Sequence, residues 1–198
     1  MLLRRRVTPI GQQALSAAWG LPETKDARLI LSSRHGEFSR TLSLLEDVTN
    51  KSEVSPADFT LSVHHALIGL LSIAQRNPKG HIAVASGSES FCFGLLEAIS
   101  CLHEHPSEQV VLIHFDDLLP SSFAPFGEPN ESPIALALAI ASAGDGEEIQ
   151  IDVKPSCPNE KKSASHAQDF LDFLAGDTAE VLSIGERQRW RWMRHAGT

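Results

Sequence analysis

Three short apolar runs constrain this chain most: "ARLILSS" (27–33), "HIAVA" (81–85) and "QVVLIHF" (109–115). None shows the strict polar alternation of a half-exposed strand; the first and third read as strands buried on both faces, and the second as a shorter strand that ends in a serine. Helical spacing fills the gaps between them. Thr8-Pro9 supplies a cap and a first-turn proline for a helix that ends near Gly20. Phe38, Leu42, Leu45 and Val48 stripe a second helix. After the Ser55-Pro56 break, Val63, Leu67, Leu70, Leu71 and Ala74 stripe a third. A fourth, over 88–104, carries Phe91, Leu95, Ala98, Ile99 and Leu102 on one side. Strands alternating with helices predict an α/β fold: a mainly parallel central sheet, right-handed crossovers, and helices on both faces.

Prolines, glycines and serines make 118–133 a long loop. "IALALAIASA" and the alternating "IQIDVK" flank "GDGEE", a pattern that predicts a C-terminal hairpin of those two strands. Residues 155–165 read as a flexible linker to a short amphipathic helix, "HAQDFLDFLAG", and a tail that sets Trp190 and Trp192 beside arginines. The 198 residues are expected to form a single domain, and a hydrophobic content of 42% is enough for a core.

A net charge of −8 offers no long-range attraction to a phosphate backbone or an anionic bilayer, so nucleic acid and membrane surfaces are not expected partners. Arg4-Arg5-Arg6 has no apolar leader beside it, and a cytoplasmic location is expected. Cys92, Cys101 and Cys157 have neither the number nor the spacing of a disulfide framework or a zinc knuckle. No metal and no cofactor are expected.

The candidate site is the strand-to-helix corner at Ser86. A serine there lies near unpaired amides and the positive end of a helix dipole, where a nucleophile is well placed. Ser86-Gly-Ser-Glu89 also has the spacing of a capping box, with Ser86 as cap and Glu89 reaching back. The hydrolase elbow G-x-S-x-G is absent. His64, His65 and His114 are candidate bases, although neighbours on a helix diverge by about 100°, so His64 and His65 cannot serve one site together. Asp116 and Asp117 follow a parallel strand, where ligand-binding residues and turn residues both occur. Trp190 and Trp192 fit either an aromatic or anionic partner or the closing of a domain edge.

The segments "RRRVTPIGQQAL", "SSRHGEFSRTLSLL", "SPADFTLSVHHALIGLLSIA", "GSESFCFGLLEA" and "VLIHFDDLLP", with the tryptophan-containing end, run in order along nearly the whole chain. Together they resemble the β-ketoacyl synthase N-terminal domain family, in particular its chain-length-factor-like members from bacterial type II polyketide and aryl polyene systems. The resemblance implies half of a thiolase-like fold and puts Ser86 where a ketosynthase carries its nucleophilic cysteine. It further implies a non-catalytic subunit that forms a heterodimer with a β-ketoacyl synthase and stabilises it, with an acyl carrier protein as a second partner. On this reading His81, Ile82, Ala83, Val84, Ala85, Phe91 and Leu95 form the partner interface, and Phe91 and Phe93 are walls of an acyl tunnel. The alternatives are a serine-dependent acyltransferase or thioesterase using Ser86, or a homodimeric scaffold.

Overall fold

A computed structural model of the chain describes residues 7–127, 131–142 and 147–194. The basic cluster Arg4-Arg5-Arg6 and most of the "GDGEE" turn lie outside them. The chain opens on α1 (Pro9–Trp19), where the Thr8 hydroxyl accepts from the Gly11 amide at 3.3 Å and proline sits in the first turn. Strand β1 (Arg28–Ser32) follows, then α2 (Phe38–Thr49), α3 (Pro56–Ser62) and α4 (Ala66–Gln75). Next come β2 (His81–Val84), α5 (Ser90–Glu104), β3 (Gln109–Asp116) and β4 (Ile134–Ala141).

The first sheet has the order β2-β1-β3-β4. Strands β2, β1 and β3 are parallel, with Ile30 opposite both Ile82 and Leu112, and β4 closes the far side antiparallel to β3. Because successive side chains leave a strand on opposite faces, β1 divides its residues between two cores. Leu29 and Leu31 pack with Ile10, Ala14 and Ala18 of α1 and Leu67 and Leu71 of α4. Ile30 packs with Phe91, Leu95 and Ala98 of α5 on the other side. Gly94 permits that approach, since a β-carbon there would lie 2.9 Å from Leu112 and Ser32.

The remaining strands, β5 (Ile149–Pro155), β6 (Glu180–Ile184) and β7 (Gln188–Arg194), build a second, antiparallel sheet in the order β5-β7-β6, with α6 (His166–Ala175) preceding β6. A C-terminal hairpin is present, but its strands are β6 and β7. The two strands expected to pair, β4 and β5, belong to different sheets. Trp190 and Trp192 of β7 are buried and face α5 and α6: Trp190 meets Phe93 edge-on at 5.3 Å, and Trp192 meets Phe170 likewise at 5.3 Å. The tryptophans therefore join two layers rather than receiving a partner. Alternation sends Arg189 and Arg191 to the outer face, where Arg191 lies between Asp152 at 3.5 Å and Glu180 at 3.6 Å. The result is a four-layer arrangement of α1/α4, first sheet, α5/α6 and second sheet.

Three local expectations are corrected. The single helix expected over 60–77 is two helices bent by 94°, because Val63 takes an extended conformation that ends α3. Leu45 and Val48 of the expected α2 stripe are exposed, and Leu44 is the residue of that helix that is buried. Segment 155–165 is irregular in backbone but is bonded to the β6–β7 hairpin: the Ser156 amide donates to the Arg187 carbonyl at 3.0 Å, and the Ser163 amide to the Ile184 carbonyl at 2.9 Å.

Candidate functional site

The corner after β2 turns through Gly87, whose φ of +61° is in the left-handed region that glycine adopts without a Cβ penalty. The Ser86 amide donates to Ser90 Oγ at 2.9 Å, and that hydroxyl donates to the Gly87 carbonyl at 2.7 Å. Helix α5 thus starts at Ser90, and the capping box does not form. Ser86 lies four positions before the helix instead of capping it. Glu89, expected to reach back to Ser86, turns the other way: its Oε1 accepts from the backbone amides of Arg187 at 2.7 Å and Gln188 at 3.2 Å. This carboxylate is buried against Gly185 and fastens the hairpin turn to the corner. Arg187 in turn donates from Nη2 to Ser86 Oγ at 2.9 Å and lies 5.7 Å from the centre of the Phe93 ring.

The histidines go to three different places. His64 packs over Gly36, a position whose φ is +58° and whose added β-carbon would meet the imidazole at 3.0 Å. His65 stacks on His81 at 4.5 Å. His114 is buried in the sheet, its Nδ1 2.9 Å from Ser32 Oγ and its Nε2 3.4 Å from Asp116 Oδ2. None of them is hydrogen-bonded to Ser86 among the described residues, so the hydroxyl at the corner has an arginine beside it and no base.

Ser32, His114 and Asp116 form a hydroxyl–imidazole–carboxylate chain that sequence spacing did not reveal. The two ring nitrogens of His114 thus bridge the Ser32 hydroxyl and the Asp116 carboxylate. The order matches a catalytic triad, yet Ser32 is fully buried beneath Gly94 and no acyl group reaches it. The other carboxylate oxygen of Asp116 accepts from Ser33 Oγ at 3.0 Å and from the amides of Arg34 at 2.7 Å and His35 at 3.3 Å. Asp116 therefore staples the loop after β1, and Asp117 is a turn residue that accepts from the Leu118 amide at 2.9 Å. Burial pushes the His114 imidazole below the ordinary histidine range, against the opposing pull of Asp116. His166, tied to Ser183 Oγ at 2.6 Å, is lowered by burial in the same way. His114 and His166 flank a small cavity of about 30 Å³.

Phe91 and Leu95, expected at a partner interface, are packed inside this chain, with Phe91 5.3 Å from His114 and 5.4 Å from Phe170. Phe91 is therefore a core residue. Phe93 lies half-buried beside the corner, between Trp190 and Arg187. Strand β2 is the outer strand of its sheet, paired on one side by β1 alone, with Ile82 39% exposed and Ala85 exposed. Among the described residues no cluster of histidine, cysteine, aspartate or glutamate has the geometry to hold a metal ion.

The family described as beta-ketoacyl synthase, N-terminal domain, matches residues 1–193. The chain belongs to this family. Its fold is shared with a chain of the complex of the ketosynthase ApeO with its chain length factor ApeC from Xenorhabdus doucetiae, at a TM-score of 0.86 and 23% identity over 98% of this chain and 81% of that one. A chain of the ishigamide ketosynthase/chain length factor is similar over 78% of this chain and 51% of that one, at a TM-score of 0.59 and 12% identity. No curated protein matches. At these identities the likeness establishes a shared fold, which the ketosynthase-like chain described here builds with the four layers above. No single helix among its described residues is long and apolar enough to cross a membrane.

Proposed function

We propose that this protein is a non-catalytic, chain-length-factor-like subunit that pairs with a β-ketoacyl synthase and stabilises it. The observation that carries the reading is an open sheet edge beside a corner without a base. A free strand edge with exposed apolar side chains is an aggregation hazard unless something covers it. On β2 that edge presents Ile82, with Ala85 exposed just after the strand and His81, Ala83 and Val84 half-buried, and on α4, which packs against β2, Ile73 is 72% exposed. Similar folds occur in ketosynthase–chain length factor complexes, which supports a ketosynthase as the partner.

The corner supports the non-catalytic half of the reading. Ser86 stands at the position that the family resemblance assigns to the nucleophile. A serine hydroxyl is a weak nucleophile unless a base removes its proton, and Arg187 is no base. Phe93, rather than Phe91, is the bulky ring left near the corner to limit an acyl chain. The three cysteines are free thiols, in keeping with a reducing cytoplasm.

Co-expression with a ketosynthase from the same organism tests the proposal. The expected result is a one-to-one complex on size exclusion with light scattering, and a ketosynthase more soluble than when expressed alone. A stable homodimer that ignores the ketosynthase would identify a scaffold instead. Turnover of an acyl thioester by the purified subunit alone would overturn the proposal outright.

A further inference from the structure

A cleft of about 730 Å³ opens between the two sheets, at the end of the molecule opposite Ser86. Its lining includes Gln109, the first residue of β3, and Ala141, the last of β4, whereas the Ser86 corner follows the last residue of β2, a strand parallel to β1 and β3. Leu95 and Ile99 of α5, Leu138 and Ile140 of β4, and Ile149 and Ile151 of β5 give it apolar walls. The gap exists because β4 and β5 go to different sheets. The volume falls within the range of about 300–1,000 Å³ typical of small-molecule sites.

The lining carries charge of one sign. Glu23, Glu147 and Glu148 line the cleft, and among the described residues that do so none is lysine, arginine or histidine. Glu147 is paired with Arg194, but no ion pair engages Glu23 or Glu148 among the described residues, and Glu23 Oε2 is buried without a hydrogen-bond partner. A carboxylate or phosphate head group would meet repulsion there, and a cationic or hydrogen-donating one attraction.

We propose that this cleft binds an elongated apolar molecule with a cationic head, its chain against the isoleucine and leucine walls and its head between Glu23 and Glu148. The proposal does not depend on the subunit reading above, because the cleft is away from both the β2 edge and the corner.

Calorimetric titration of the full chain with dodecyltrimethylammonium and with dodecanoate, each below its micelle concentration, is the test. One saturable site is expected for the cation, at least tenfold tighter than for the anion. Ile149→Arg should abolish it by placing a cation on the wall. Glu148→Lys, at an exposed position that leaves the fold intact, should cut the preference for the cation at least tenfold. Absence of saturable binding, equal affinity for dodecanoate, or binding unchanged in both variants would overturn the proposal. So would loss of the site in the complex with a ketosynthase together with no probe binding to the free chain, which would mark the cleft as a protein contact.

Discussion

Arg187 and Ser86, 101 positions apart in sequence, meet at 2.9 Å across the corner that ends β2. The serine that sequence spacing singles out as nucleophile or cap is neither capping α5 nor facing an imidazole. Ser86→Ala is expected to leave condensation by the subunit–ketosynthase pair unchanged and to alter stability by no more than about 0.5 kcal/mol, as at other surface positions. Condensation assays on the purified pair check this. A large loss of activity with the complex intact would restore a catalytic role.

Glu89 is the structural residue of the corner. Glu89→Ala leaves the Arg187 and Gln188 amides without their acceptor, at an expected cost of about 1–3 kcal/mol. Glu89→Gln retains a carbonyl acceptor and is expected to cost less. Urea denaturation of the two variants measures the difference, and an alanine variant as stable as the parent would show that the turn is held by other contacts.

The open edge of β2 predicts a separation between folding and pairing. Ile82→Lys adds a charge to an edge strand, a device that blocks strand pairing without disturbing the core. The isolated subunit should melt as before and no longer copurify with a ketosynthase. Copurification at full yield would place the partner surface elsewhere.

Acid should destabilise the fold. Burial holds His114 and His166 below the ordinary histidine value, and His35 and His81 are lowered for the same first reason. Near pH 6.5 the unfolded chain takes up protons that the folded chain refuses, so stability falls as pH drops through that range. It stops falling on this account only below the depressed folded values. The buried pair His114 and His166 each contribute a slope of at most about 1.4 kcal/mol per pH unit while the difference lasts, and the more exposed His35 and His81 contribute less. Urea midpoints at pH 7.5 and 5.5 should show the decline, and His114→Gln should make it shallower. A midpoint that rises in acid would contradict the neutral, buried state of these rings.

The second sheet should carry much of the stability. Trp192→Ala opens a hole between α6 and β7 and is expected to cost about 3–5 kcal/mol, measurable by denaturant titration. A loss below about 1 kcal/mol would mean that the layers are held together without it.

The alternation of apolar runs and helical stripes was enough to read the α/β class and the three parallel strands, because "ARLILSS" and "QVVLIHF" are apolar on both sides and only a covered sheet suits them. Pairing was not legible where it depends on partners far away. "IALALAIA" and "IQIDVK" are both plausible hairpin arms, and what separates them is the demand of β3 for a neighbour and of β5 for Trp190 and Trp192. The capping-box spacing misled for a similar reason: Glu89 has local amides within reach, but those of Arg187 and Gln188 claim it. The break at Val63 has no marking proline or glycine. Its β-branched side chain and the two following histidines are only modest helix formers, too weak a signal to locate a bend.

The carboxylate of Glu89 also carries a timetable. The amides from which its Oε1 accepts leave the ribosome 98 residues later, so the corner beside β2 cannot settle until the C-terminal hairpin has been synthesised. A product cut short before Arg187 would bear a stranded acid next to a sticky strand, and would be a target for proteolysis.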